Sequence, residues 1–236
     1  MSRIFLASIF FCTCARVFAA QAPRPVAAPE PEPAAVSTGP VAATECPGDM
    51  VRIGKFCMDR YEAPNKADAK PFSARTAPEG EAWCAAGGKR LCNEDEWIRA
   101  CEGRPQLPFP YGAQYNPKAC NDQKTWLAPD WGKLAKYPAP EGRAEVERLY
   151  QADPAGSNPL CVSDEGVYDL TGNVSEWVVR TRPNHNNFSH VMKGCYWSGC
   201  FGGSKPSCAF VNPAHPGTFR TYEAGFRCCL SLGDSR

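Results

Sequence analysis

Gly166-Val167-Tyr168-Asp169-Leu170-Thr171-Gly172-Asn173-Val174-Ser175-Glu176-Trp177 packs a turn, the start of a strand and a set of oxygen donors into one short stretch. Gly172-Asn173 is a turn pair, and Val174 to Val179 has the β-branched and aromatic content of a strand. Counted from Asp169, the Asp169 side chain, the Gly172 and Val174 carbonyls and the Glu176 carboxylate fall at offsets zero, three, five and seven. Hard cations prefer carboxylate and carbonyl oxygens, and a Gly-Asn turn lets successive carbonyls converge on one point, so the expectation is calcium. The plainer alternative is a turn with Glu176 salt-bridged.

Outward from this stretch the chain keeps the same character of short elements and long loops. Asn93 followed by Glu96 forms a capping box for a helix that carries Trp97 and ends at Gly103 and Pro105. Glu79 to Ala86 has helical spacing and stops at Gly87-Gly88. The stretch up to about Pro159 is rich in Pro, Gly, Asn and Trp, with a helical patch only at Glu145 to Tyr150. His190 to Trp197 and Ala224 to Leu230 read as strands. Cys46 to Cys57 alternates around Gly54 as an edge hairpin does, and its end cysteines are placed to staple it. Two main helices, short strands and much loop predict an irregular α+β domain.

The 236 residues carry a formal net charge of +1, with no Lys/Arg block longer than two, which argues against nucleic acid as a partner. Met1-Ser2-Arg3, an apolar run from Ile4 to Cys14 and small residues near Ala19-Ala20 read as a signal peptide over residues 1–20. Arg16 interrupts a run already too short to span a membrane. Residues 21–44 are an Ala/Pro-rich tether, and the folded domain is expected over 45–232. The protein is therefore expected to be secreted or periplasmic and monomeric, with envelope attachment left open. Two of the 14 cysteines fall in the signal segment; the remaining 12, an even number in an exported chain, read as a disulfide framework. Only three histidines, His185, His190 and His215, are present, none in a CxxC or HxxxH context, so disulfides are expected over zinc.

Four islands, Gly88 to Trp97, Gly166 to Trp177, Met192 to Trp197 and Gly225 to Cys228, occur in an order and spacing that resemble the formylglycine-generating enzyme, or sulfatase-modifying factor, family over about Cys46 to Leu230. The resemblance points to a divergent bacterial exported member. It implies an irregular relative of the C-type-lectin fold, with bridges Cys84 to Cys228 and Cys101 to Cys208. It also implies a calcium site at Asp169, Gly172, Val174 and Glu176, and a second at Asn121 and the carbonyl of Asp122. Cys120 to Cys161 and Cys92 to Cys229 are guesses that complete the set.

Family enzymes oxidise a substrate cysteine with dioxygen at a copper(I) ion held by two cysteines five positions apart, soft thiolates being selective for that ion. Cys195 and Cys200 have this mutual spacing but not the register. Counted from Lys193-Gly194 the first catalytic position falls at about Gly199; counted back from Cys208 the second falls at about Gly203. Tyr196, Val211 and Glu223 stand where the family has serine, arginine and asparagine. Three histidines without suitable spacing leave the iron chemistry of ergothioneine-synthase-like relatives unsupported.

Two functions follow. One is a calcium-stabilised binding module presenting the loop Ser198 to Ser207 and the loop around His215, with Glu223 nearby, to an exported protein or a glycan. The other is a copper-dependent oxidoreductase using Cys200 and Cys195. Trp83, Trp97, Trp177 and Trp197 are expected in the core. Arg90 and Arg227 are expected to pair with Glu96 or Glu176.

Overall fold

A computed structural model describes residues 44–233; the expected signal peptide and all but the last residue of the expected tether lie outside the described residues. The chain opens with a hairpin, β1 (Met50–Ile53) and β2 (Phe56–Asp59), whose register pairs Val51 with Met58 and Ile53 with Phe56. Gly54, at φ +59, supplies the left-handed turn, and Cys46–Cys57 closes the hairpin.

Helix α1 (Ala77–Ala86) starts two residues earlier than its apolar spacing predicts, because Thr76 and Glu79 form a capping box. It buries Ala77, Gly80 and Cys84. A Cβ on Gly80 would lie 3.0 Å from both Leu91 and Phe226, so this helix approaches the sheets on a glycine contact. After strand β3 (Arg90–Leu91), helix α2 (Glu94–Glu102) carries the second box, the Asn93 amide donating to Glu96 Oε2 at 2.8 Å. Trp97, Ile98 and Cys101 form its buried face.

The loop region holds more helix than its sequence suggests: α3 (Trp131–Leu134) and α4 (Pro140–Leu149). The predicted patch is only the second half of α4. Pro140 and Gly142 read as loop punctuation, yet proline suits the first helical turn. Gly142 sits where a Cβ would come within 2.4 Å of the Tyr137 backbone.

One four-stranded sheet has the order β1-β2-β8-β3, with β8 at Cys228–Ser231. The other has the order β6-β5-β4-β7, built from β4 (Ser175–Val179), β5 (His190–Lys193), β6 (Val211–Asn212) and β7 (Ala224–Phe226). The expected single strand from Ala224 to Leu230 is thus two strands in two sheets, and Arg227 is the residue at which the chain crosses between them. The expected strand from His190 to Trp197 ends at Lys193, because Gly194 and Cys195 turn the backbone with φ +86 and +63.

Disulfides link Cys46–Cys57, Cys84–Cys228, Cys92–Cys229, Cys101–Cys208, Cys120–Cys161 and Cys195–Cys200, so all the cysteines among the described residues are paired. Trp97, Trp177 and Trp197 are buried. Trp83 is a correction: it is 50% exposed and rests edge-on against Phe72. Among the described residues no helix is long and apolar enough to cross a membrane.

Candidate functional site

Where the two sheets meet, Arg227 is fully buried and fixed on all sides. Its Nε and Nη2 donate to the two oxygens of Glu176 at 2.7 and 2.6 Å, and its remaining donors reach the carbonyls of Asp59 and Tyr168. The Trp97 indole adds a third donor to Glu176 at 2.9 Å. Glu176, one of the expected calcium ligands, thus has both its oxygens engaged by the Arg227 guanidinium. Arg90 likewise binds Glu96 through two hydrogen bonds.

Two more buried carboxylates, Glu62 and Asp169, share this one guanidinium. Burial, with the charges of Asp169 and Glu176, pushes the Glu62 carboxyl well above its ordinary range. Burial also pushes Asp169 up. Glu62 accepts from the Val174 amide and the Asn173 side chain, and Asp169 Oδ2 accepts from the Gly156 amide at 2.7 Å. Asp169 Oδ1 is buried without a donor. The two expected calcium segments also touch: the Asn173 amide donates to the Asn121 carbonyl at 2.7 Å, and a Cβ on Gly172 would lie 2.4 Å from that oxygen. Asn121 Oδ1 and Asp122 Oδ2 are likewise buried without donors. Buried acceptors lacking donors are groups a hard divalent ion could satisfy, although among the described residues no three His, Cys, Asp or Glu side chains converge as a metal cage, so carbonyls would have to complete the set.

Cys195 and Cys200 form a disulfide, so neither is a thiolate ligand in this state. Cys200 lines a polar pocket with Tyr115, Asp122 and Lys205. Phe201, the next residue, turns the other way and stacks on Tyr196 with ring centroids 5.4 Å apart.

That turn places Phe201 on a second, more apolar cleft of about 220 Å³, together with Trp126, Trp131, His215, Tyr222 and Glu223. The structure thus brings Phe201 of the loop Ser198 to Ser207, His215 and Glu223 to one place. His215 stacks on Phe219 at 3.8 Å, and burial lowers its pKa. The rim tryptophans, Trp126 and Trp131, were not legible as site residues; the available signal was two tryptophans flanking Pro129 inside a loop.

A family model described as a sulfatase-modifying factor enzyme 1-like domain matches residues 62–232. The chain belongs to this family. A curated relative from Bos taurus, "Inactive C-alpha-formylglycine-generating enzyme 2", is 30% identical over 66% of this chain and 48% of its own length. The chain thus spans about half the length of that relative. Among solved structures, CarF aligns at TM-score 0.53 and 13% identity over 75% of this chain and 87% of its own. PvdO from Pseudomonas aeruginosa aligns at TM-score 0.50 and 19% identity over 75% and 80%. These two likenesses show the fold.

Within this sulfatase-modifying-factor domain, Glu223 is an unusual group to bury. It is 2% exposed, and its side chain accepts a hydrogen bond from the Thr221 hydroxyl. Burial pushes its pKa to about 7 from an ordinary 4.5. Tyr222 and His215 are the other titratable groups lining the cleft, with Tyr196 packed behind Tyr222, and burial raises both tyrosines further from ionisation. Between pH 4.5 and 7 the folded chain holds a proton on Glu223 that the unfolded chain has released, so stability contributed below pH 4.5 is lost as pH rises through that window. Glu223→Gln is expected to remove this loss, about 3 kcal/mol in all. Chemical denaturation at several pH values checks it; identical slopes for the two proteins contradict it.

Proposed function

We propose that the chain is an exported, calcium-stabilised binding module that engages a protein or glycan through the aromatic cleft and lacks its family's full catalytic set. The observation that carries this reading is the division of labour around Cys200 and Phe201. The cysteine is tied in a disulfide beside a polar pocket, whereas the phenylalanine joins Glu223 and exposed tryptophans in a cleft built for contact. The inactive status in the name of the bovine relative supports it. So do Tyr196, Val211 and Glu223, which replace a family serine, arginine and asparagine. Six disulfides support an oxidising, exported setting.

Asp169 would hold the calcium through its free oxygen, together with the carbonyls of Gly172 and Val174, and Asn121 and Asp122 would supply the adjoining set. The ion neutralises excess buried carboxylate charge; it has no part in chemistry. Free calcium at a hundredfold its Kd stabilises by about 2.7 kcal/mol, which is about 5 to 10 °C in Tm for a domain of this size. A chelator is expected to lower Tm by that amount, and Asp169→Asn to abolish the difference. A melting curve indifferent to the chelator removes calcium from the account.

One observation favours the oxidoreductase alternative: Cys195 and Cys200 lie five residues apart and close enough to bond, as a copper(I) dithiolate would need. Titration of the reduced protein with copper(I) against a chromophoric chelator separates the readings. The binding module predicts no tight thiolate site, and a stoichiometric one that Cys200→Ser abolishes would favour the oxidoreductase.

A further inference from the structure

We propose that the cleft receives the cationic head of a lysine or arginine side chain presented by a partner protein, with Glu223 as counter-charge and Trp126, Trp131 and Phe201 as aromatic walls. This rests on the binding-module reading and names the ligand class it leaves open.

Size is the first argument. About 220 Å³ falls below the several hundred Å³ typical of sites for whole small molecules and suits one side-chain head. An adjoining apolar compartment of about 300 Å³ shares Trp131, Phe219 and Tyr222 with it and adds Leu134 and Val146. Together they provide for a basic residue next to an apolar one.

Charge is the second. Among the described residues Glu223 has no ion-pair partner; its side chain is held by the Thr221 hydroxyl and its own backbone amide, both uncharged donors. The cation next along the chain, Arg220, is already engaged, binding both oxygens of Glu79 at 2.8 Å and lying over the Tyr137 ring. His215 is no substitute, since burial and its stack on Phe219 favour the neutral ring. The cleft base therefore offers a carboxyl without a cation, ionised above about pH 7 and drawn to its charged form at lower pH by a bound cation.

The walls are the third. Trp126, Trp131 and Phe201 are 54%, 63% and 49% exposed, an unusual concentration of open aromatic surface on one rim. Aromatic faces attract a cation, and do so more strongly when it is desolvated, as it would be above Glu223. Trp126 and Tyr196 also hydrogen-bond the Tyr222 hydroxyl, which fixes the cleft before any ligand arrives. Sugar hydroxyls would need several outward-facing polar partners, and this lining is mostly hydrocarbon and ring.

Calorimetry on the oxidised full chain tests the proposal, using capped peptides that carry a Leu-Lys or Leu-Arg pair and the same peptides with glutamine in the basic position. The basic peptides are expected to bind at least tenfold more tightly than the glutamine peptides. Glu223→Gln, isosteric at the buried position, is expected to erase that preference, and Trp126→Ala to weaken basic peptides tenfold while the domain stays folded. Equal binding of glutamine peptides, an unaltered preference in Glu223→Gln, or no binding of either basic peptide overturns the proposal. A chito-oligosaccharide in a parallel cell separates the two levels. Saccharide binding lost in Trp126→Ala sinks the cationic ligand and keeps the binding module. Silence of every ligand, together with copper-dependent oxidation of a cysteine peptide, sinks both.

Discussion

Arg227→Met is expected to destabilise the domain by about 3 to 5 kcal/mol, a large share of a typical domain's stability. The cost comes from what is left behind more than from the lost bonds. Glu176, Glu62 and Asp169 are all buried around this guanidinium, and without it three carboxylates face one another with no internal cation. Arg227 is also where the chain leaves β7 for β8, so its donors to the Asp59 and Tyr168 carbonyls hold the two sheets in register. A urea titration measures the loss. Calcium is expected to lessen it, because the ion would take over part of the same neutralising role. A midpoint that barely moves would mean the cluster is protonated and indifferent to Arg227.

The second large effect is expected from Cys84→Ala/Cys228→Ala. This bridge closes 144 residues of sequence separation, and the chain-entropy model assigns such a loop about 5 kcal/mol if the native geometry is unstrained. It ties α1 to β8, and the Cys92–Cys229 bridge, from the next residue of β8, ties that strand to the entry of α2. Because the neighbouring bridge already restricts the same loop in the unfolded chain, removing one is expected to cost less than the isolated value, about 2 to 4 kcal/mol. Removing both is expected to cost more than twice as much as removing one. Urea midpoints of the two double variants and the quadruple variant check this; strict additivity would mean the bridges act through local packing instead.

The parts legible in the sequence are those fixed by neighbours along the chain. Asn93 and Glu96 sit one helical turn apart and cap α2 as their spacing predicts. Arg227 and Glu176, each inside a recognisable motif, form the pair expected of them. The strand break at Arg227 was not legible, since Ala224 to Leu230 has uniform strand composition and only the crossing between sheets reveals the discontinuity. The start of α4 was hidden for the opposite reason: Pro140 and Gly142 look like loop residues until their first-turn position and their packing on Tyr137 are seen.

The cleft is the least legible feature. His215 and Glu223 were identifiable as candidates, but Trp126 and Trp131 lie about a hundred residues before Tyr222 and reach it only through the folding of a loop with little periodicity. No local pattern encodes that meeting. Glu223 was visible as a departure from a family asparagine; that it is buried with a hydroxyl rather than a cation is a property of the fold.

Mass spectrometry of a cysteine-containing peptide incubated with the reduced, copper-supplied protein, dioxygen and a thiol reductant tests the central claim most directly. A domain that binds and does not oxidise returns the cysteine intact. Conversion of that cysteine to an aldehyde, dependent on copper and lost in Cys200→Ser, would show that the pair beside the cleft is an oxidising centre after all.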